Sequence, residues 1–328
     1  MGLGTSTGPD DGLGTADRPD DPDAGPAGGA QPAARLPAGG GGVTIRPLSP
    51  RRLQTFYFLD EIRGFAPVFL DTEVDMTQVE KHRAASRAAG TRYSVVSYVV
   101  HCAARVLADH PQANAALRGR HRPYVAVSPD VNVKIALDKR MAGERVTLSA
   151  VLPRAQLADL AEIQGQVEHF RDGDADQMPE FEHVRRLQRL PAVVGRLAYR
   201  FFVRSLSRRP SALGTVAVTS LGHRAVDGFH SVGGTTVTLG IGRIVARPVV
   251  RGGAIVVAPT VRLNLAFDHR VIDGAEAADV LTEIRDSLER FDPGAGTSSE
   301  VLGAGRLGLL AAGDGALAGS EAGDGARS

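Results

Sequence analysis

Read for the spacing of its apolar side chains, the chain divides into blocks of different period. In "VTIRPLSPRRLQTFYFLDEIRGFAP" (43–67) a short extended piece leads to Ser49-Pro50, an N-cap followed by proline at the first helical position. That pattern predicts a helix to about Arg63. Residues 68–76 alternate and predict a strand, and residues 77–90, running from Thr77 to Gly90, predict a capped helix. "SVVSYVVHCAARVLADHP" (94–111) predicts a strongly apolar helix closed before Pro111, with His101 and Cys102 as core or boundary residues. Strands are predicted at 130–137 and 145–152, and an amphipathic helix at 154–173. Further strands follow at 215–221, 235–250 and 254–267, the last two joined by a hairpin turn at Arg251-Gly252-Gly253. A helix at 275–291 closes the series. Such an order, with long antiparallel stretches, predicts an α+β domain rather than the regular alternation of a doubly wound sheet. Gly240 and Gly242 of "LGIGR" (239–243) lie inside a strand pattern and lack the third glycine and following helix of a dinucleotide fingerprint. They predict a bulge or a close backbone approach.

One block stands apart. From Arg185 to Arg209 there are eight arginines and no acidic residue, apolar side chains occupy the other helical face, and Pro191 breaks the run. Two readings follow: a helix for a membrane surface or partner, or a helical hairpin packed on the core with its arginines in water. The second is preferred, because amphipathic helices mostly face cores.

Composition then sets the limits. Residues 1–42 hold 12 Gly, 6 Pro and 6 Asp, and residues 293–328 hold another 10 Gly. Neither segment carries enough apolar surface to offset its chain entropy, so both read as disordered tails, with a weak helix at 301–312 as the one exception. The folded part is 43–292, enough for one substantial core. The whole chain has 38 basic and 37 acidic residues, and removing the tails leaves 34 and 27. That mild positive balance suits an anionic small ligand and does not call for nucleic acid. A single cysteine, Cys102, excludes an intrachain disulfide. Absence of a signal-peptide pattern and of a membrane-length apolar run gives the expectation of a cytoplasmic protein. No Cys/His spacing for a metal site and no phosphate-binding Gly-x-x-x-x-Gly-Lys occurs.

The string His-Arg-x-x-Asp-Gly occurs twice, at 223–228 and at 269–274. In the second copy Asp268-His269-Arg270 follows an apolar strand, Gly274 allows a sharp turn, and a helix follows. A histidine at such a junction sits on rigid backbone and can point into a cleft. Imidazole as a side-chain type titrates near neutrality, so its neutral form is available as a general base. Asp273, four residues on, could bond to His269, brace the turn through an arginine, or merely cap the helix.

"LNLAFDHRVIDGAEAADVL" (263–281) closely resembles the strand–histidine–helix signature of the acyltransferase catalytic domain of 2-oxoacid dehydrogenase complexes. Further matches stand in order: "PLSPRRL" (47–53), "FLDTEVDMT" (69–77), "DVNVKIA" (130–136), "GTVAVTSLG" (214–222) and "GIGRIVARPVV" (240–250). The resemblance covers about 45–290 and implies a chloramphenicol acetyltransferase-like fold, a two-layer mixed sheet with flanking helices. It implies acyl transfer between coenzyme A and a dihydrolipoamide-type thiol, with coenzyme A as substrate and no metal. His269 would be the general base. Thr219, two residues before Leu-Gly, would stabilise the oxyanion; the plainer reading of Thr219 is an ordinary β-branched strand residue. Asp273 would be structural and pair with Arg52 (or Arg51). The family's site lies between subunits, so a homotrimer is expected. His223 follows Thr-Ser-Leu-Gly where the family has a variable loop, so the first copy reads as loop structure.

The chain also departs from the family. Residues 1–42 contain no lysine to carry a lipoyl group, which is expected to come from a separate lipoyl-bearing protein if it is used. The family's Ser-Val-Asn-Asp-Phe is "SVVSYVV" (94–100) here, its Gly-Leu-Ile-Val-Pro-Val is replaced within 138–153, and "HSVGGTTVTL" (230–239) replaces a proline-rich segment. The Arg-rich helical block at about 180–209 reads as an insertion. Two alternatives therefore stay open: a non-catalytic scaffold that binds a dehydrogenase complex or a membrane surface, and acyl transfer to a small hydroxyl or amine acceptor.

Overall fold

The computed structural model describes residues 48–119 and 121–292. The predicted tails at 1–42 and 293–328, with the weak helix at 301–312, lie outside the described residues. Ser49 Oγ accepts a hydrogen bond from Arg51 N (3.3 Å), Pro50 opens a 3-10 turn, and helix α1 (Leu53–Glu61) follows, as the capping pattern predicts. Strand β1 (Pro67–Asp75) leads into α2 (Thr77–Ala88). There the capping side chain is Asp75 rather than Thr77: its Oδ1 accepts from Thr77 N (3.0 Å) and Thr77 Oγ1 (2.6 Å). Helix α3 (Val95–Asp109) is followed by a small hairpin, β2 (Ala115–Arg118) and β3 (Tyr124–Val127), whose four-residue arms are too short to announce a period. Strands β4 (Val133–Met141) and β5 (Glu144–Leu152) then pair antiparallel.

Helix α4 (Leu160–Asp172) begins later than its apolar pattern suggests, because Asp159 and Glu162 form a capping box that sets the start. Three helices follow, α5 (Glu182–Arg189), α6 (Ala192–Val203) and α7 (Arg209–Leu213), with Pro191 at the break between the first two. Strand β6 (Val216–Ser220), the long pair β7 (Val237–Arg251) and β8 (Ala254–Asp268), and helix α8 (Gly274–Glu289) complete the domain. The main sheet has the order β1-β8-β7-β6-β4-β5. Strand β6 runs parallel to both of its neighbours, and the other pairs are antiparallel.

The two faces of this sheet differ chemically. Val133, Ile135, Val216, Val218, Val237, Leu239, Leu263, Leu265 and Phe267 alternate onto one face. They form one buried cluster with Val99, Ala103 and Leu107 of α3 and Val280 and Ile284 of α8. Each such aliphatic side chain contributes roughly 1.5–3 kcal/mol on full burial. The opposite face carries Lys134, Ala217, Thr219, Thr238, Asn264 and Asp268, and is partly covered by α1 and the segment 229–236. Gly233 approaches so closely that a Cβ would collide with Ala217, and Gly233 N donates to Thr238 Oγ1 (2.9 Å).

Both readings of "LGIGR" hold: the β7–β8 register shifts between Ile241 and Ile244, and a Cβ on Gly242 would overlap the carbonyl oxygen of Asp227. The preferred reading of the Arg-rich block fits α5, where Val184 is buried and Arg186 and Arg189 are exposed, and fits α6 only in part. Helix α6 packs on α1 through Gly195, Tyr199 and Val203, and Tyr57 Oη donates to Ala192 O (2.9 Å). Its arginines turn toward α1: Arg196 pairs with Asp60, Arg200 with Glu61 (3.2 Å) and Arg204 with Glu61 (2.7 Å). The row of Val193, Leu197 and Phe201 faces outward, and Arg196 and Arg204 beside it keep 46% of their side chains exposed. These pairs with the two carboxylates at the end of α1 accompany the orientation of α6.

Candidate active site

Strand β8 ends at Asp268, and the next residue leaves the sheet under tight backbone control. His269 N donates to Ala66 O (2.9 Å), and Val271 N donates to Asp268 O (2.9 Å). The Asp268 carboxylate is buried and accepts from Arg270 Nε (2.8 Å) and Nη2 (2.5 Å), and also from Ala66 N (3.3 Å). Arg270 in turn lies over the Phe65 ring, 5.1 Å from its centroid. This clasp holds the start of β1 against the end of β8, and His269 stands on it. The imidazole is 48% exposed, so one ring edge is open to a ligand. Its Nδ1 lies 3.6 Å from Asp273 Oδ1, a charge contact longer than a hydrogen bond. On the other side its ring packs at 5.5 Å from that of Phe267.

Asp273 is the N-cap of α8 by position, but its side chain makes no capping bond and is 90% exposed. The pairing with Arg52 or Arg51 that the resemblance implies is not formed within one chain. Arg51 donates to Gln188 Oε1 (2.8 Å), and exposed Arg52 has no ion pair among the described residues. Both belong to the 3-10 turn that α5 and β5 hold. The arginine-braced carboxylate is Asp268, not Asp273. The string Asp-His-Arg at a strand end carries that signal: Arg270, in the turn after β8, folds back on Asp268 through both its backbone N (3.2 Å) and its side chain. Gly274, expected to permit a sharp turn, is instead the first residue of α8 without positive φ, and a Cβ there would meet nothing within 4 Å. The turn is made by residues 268–272.

Thr219 lies near the end of β6, paired with Gly240, which is paired with Asn264. His269 is five residues beyond Asn264 and two strands across, so the two residues are about 19 Å apart at ordinary strand spacings. Thr219 shares its sheet face with Ala217, whereas His269 lies beyond the end of β8 with its ring beside that of Phe267. A single chain does not bring them together.

The first copy of the motif has a different role. His223 is exposed in the loop after β6. Asp227 is held below the usual carboxylate range, first by its hydrogen bond from Arg243 Nε (2.6 Å) and then by the Arg243, Arg247 and Arg262 charges. Arg243 N also donates to Val226 O (2.9 Å), so this copy clamps a loop onto the bulge of β7.

Lys134, not singled out by its sequence pattern, is 7% exposed beneath the segment 229–236. Its Nζ donates to Gly233 O and lies 4.8 Å from the centroid of the Phe58 ring. Burial, helped by the nearby Arg209 charge, pushes the amine down to about 7. Among the described residues, no group of three or more His, Cys, Asp or Glu is arranged to hold a metal ion.

Comparison with known proteins bears on this geometry. Residues 42–177 and 186–294 match the family described as "2-oxoacid dehydrogenases acyltransferase (catalytic domain)". The acetyltransferase component of the pyruvate dehydrogenase complex from Bacillus subtilis (strain 168) is 55% identical over 47 residues, 14% of this chain and 11% of that protein. The succinyltransferase component of the 2-oxoglutarate dehydrogenase complex from Pseudomonas aeruginosa is 26% identical over 200 residues, 61% of this chain and 41% of that protein. The chain thus spans less than half the length of these curated relatives. Among solved structures, a probable dihydrolipoamide acetyltransferase from Listeria monocytogenes superposes with a TM-score of 0.58 at 19% identity, covering 79% of this chain and 98% of that one. The cubic core of the pyruvate dehydrogenase multienzyme complex superposes with a TM-score of 0.59 at 20% identity, covering 76% and 93%. These superpositions share the mixed α+β fold. With its match extending over well more than half of the sequence, the chain belongs to the family of 2-oxoacid dehydrogenase acyltransferase catalytic domains.

Proposed function

We propose that this protein transfers an acyl group between coenzyme A and a thiol acceptor of the dihydrolipoamide type, with His269 as general base. The observation that carries this reading is a half-exposed imidazole fixed by the Asp268–Arg270 clasp at the end of a buried strand. The Asp273 carboxylate beside Nδ1 favours the tautomer with the proton on that nitrogen, which leaves the Nε2 lone pair for the substrate. Nε2 takes the S–H proton as the sulfur attacks the thioester carbonyl. A tetrahedral oxyanion forms, its C–S bond to the first thiol breaks, and the imidazolium returns the proton to the departing sulfur. Thr219 is the proposed hydroxyl donor to the oxyanion, a contribution of about 3–4 kcal/mol for a well-aimed donor.

With about 19 Å between the two residues along and across the sheet, Thr219 would serve a given His269 from a second copy. A homotrimer with sites between subunits meets that requirement and agrees with what the sequence resemblance implies. Incubating the full chain with a series of acyl-coenzyme A donors and free dihydrolipoamide, with hydroxyl and amine acceptors in parallel, tests the proposal. Thioester formation on dihydrolipoamide is the expected result. Transfer to a hydroxyl or amine alone would replace the acceptor, and no transfer to any of them would favour the scaffold reading.

A further inference from the structure

The outward face of α6 is apolar along its whole length. Val193, Leu197 and Phe201, spaced four apart, are 72%, 62% and 75% exposed, and Val194 and Phe202 flank them. Among the described residues nothing packs on this row, because the inward row of Gly195, Tyr199 and Val203 already occupies α1. At the C-terminal end of the row, Phe201 shares a cleft of about 400 Å³ with Arg118, Arg200, Arg204 and Arg208. The guanidinium of Arg208 lies 6.0 Å from the Phe201 ring centroid. Glu61 pairs with Arg200 and Arg204, and no described ion pair involves Arg118 or Arg208. Two cations in one cleft thus keep unmet charge beside exposed aromatic surface.

We propose that α6 is a docking surface for an anionic membrane, lying in the interface with Val193, Leu197 and Phe201 below the headgroups. The arginine cleft would then receive lipid phosphates. Charge decides the occupant. Arg118 and Arg208 keep their charge unmet, so a second copy facing this row across a two-fold axis would bring like charge against like, and a heterologous contact, as in a ring, is the outcome that the oligomer mass separates. A negatively charged lipid surface supplies the opposite charge and an apolar layer at once. None of the described helices is long and apolar enough to cross a membrane, and surface attachment needs none. The inference does not rest on the acyl-transfer reading: it concerns where the domain sits, not what it transfers.

Co-sedimentation of the full-length chain with vesicles provides the test. Phosphatidylcholine vesicles containing 30% phosphatidylglycerol, as a chosen composition, should carry down the protein at least about tenfold more strongly than phosphatidylcholine alone. Leu197→Asp with Phe201→Asp should abolish that binding. Arg118→Gln with Arg208→Gln should weaken it and flatten its salt dependence. Both pairs are solvent-facing, so their thermal unfolding and acyl-transfer rates should match the parent; a variant that fails to fold is replaced by Val193→Asp. Equal sedimentation of parent and Asp variant, or absence of binding to the anionic vesicles, would overturn the proposal. A loss of oligomer mass in the Asp variant by light scattering would overturn it in favour of an interface between copies.

Discussion

Replacing Lys134 with methionine removes a buried cation and keeps most of the side-chain volume. The amine is held down to about 7 from 10.5, first by burial and then by the Arg209 charge. At 1.36 kcal/mol per unit, that displacement corresponds to about 5 kcal/mol of unfavourable charge burial. The sign follows from proton counting. Between pH 7 and the ordinary lysine value the unfolded chain holds a proton that the native state has released, so wild-type stability rises with pH across that window. Below pH 7 both states are protonated and the full penalty remains. Methionine also loses the bond to Gly233 O and leaves that carbonyl unsatisfied, at about 1–3 kcal/mol at every pH. Lys134→Met should therefore be more stable than wild type at pH 6 and less stable at pH 10, with a swing of about 4 kcal/mol between them. Urea unfolding followed by circular dichroism at fixed protein concentration measures it. A stability difference that stays constant from pH 6 to pH 10 would refute the charged, buried amine.

Other residues give sharper local tests. Thr219→Val should lower kcat by about a hundredfold or more with little change in thermal stability, measured by steady-state kinetics and calorimetry. Mixed oligomers of His269→Ala and Thr219→Val chains should regain activity that neither variant shows alone; absence of rescue would place both groups in one chain. Gly242→Ala should lower stability by about 1–3 kcal/mol, read by thermal denaturation, since a Cβ there meets the backbone of Asp227 and backbone cannot give way. Burial alone would lower the His110 pKa, but hydrogen bonds to Glu276 (2.7 Å) and Glu283 (3.2 Å) raise it overall. Its stabilisation is complete below the unfolded histidine pKa and fades as pH rises through the folded value, so His110→Ala should cost more at pH 5.5 than at pH 8.5 in urea unfolding.

What could be read from the sequence follows from the range of the interactions. The Ser49-Pro50 start, the β7–β8 hairpin and the strand before His269 were legible because their signals are local: a cap, a turn, an alternation. The late start of α4 was also local, in Asp159 and Glu162, but the continuous apolar pattern upstream masked it. The orientation of α6 was not legible, because its faces show only that it is amphipathic. The arginines that turn toward α1 pair with Asp60 and Glu61, more than a hundred residues earlier. Lys134 was hidden for the same reason: a lysine in an alternating strand reads as solvent-facing until the segment at Gly233 is known to cover it. His269 was legible as a candidate from its strand and helix, whereas the clasp beneath it needed β1 to be placed beside β8.

The imidazole at position 269 is the group on which the proposed chemistry turns, and one pair of variants addresses it directly. Acyl exchange from acyl-coenzyme A to dihydrolipoamide should fall by at least about a hundredfold in His269→Ala, the usual scale for a general base, and stay near the parent rate in His223→Ala. An unchanged rate in the first variant, or an equal collapse in the second alone, would contradict the assignment.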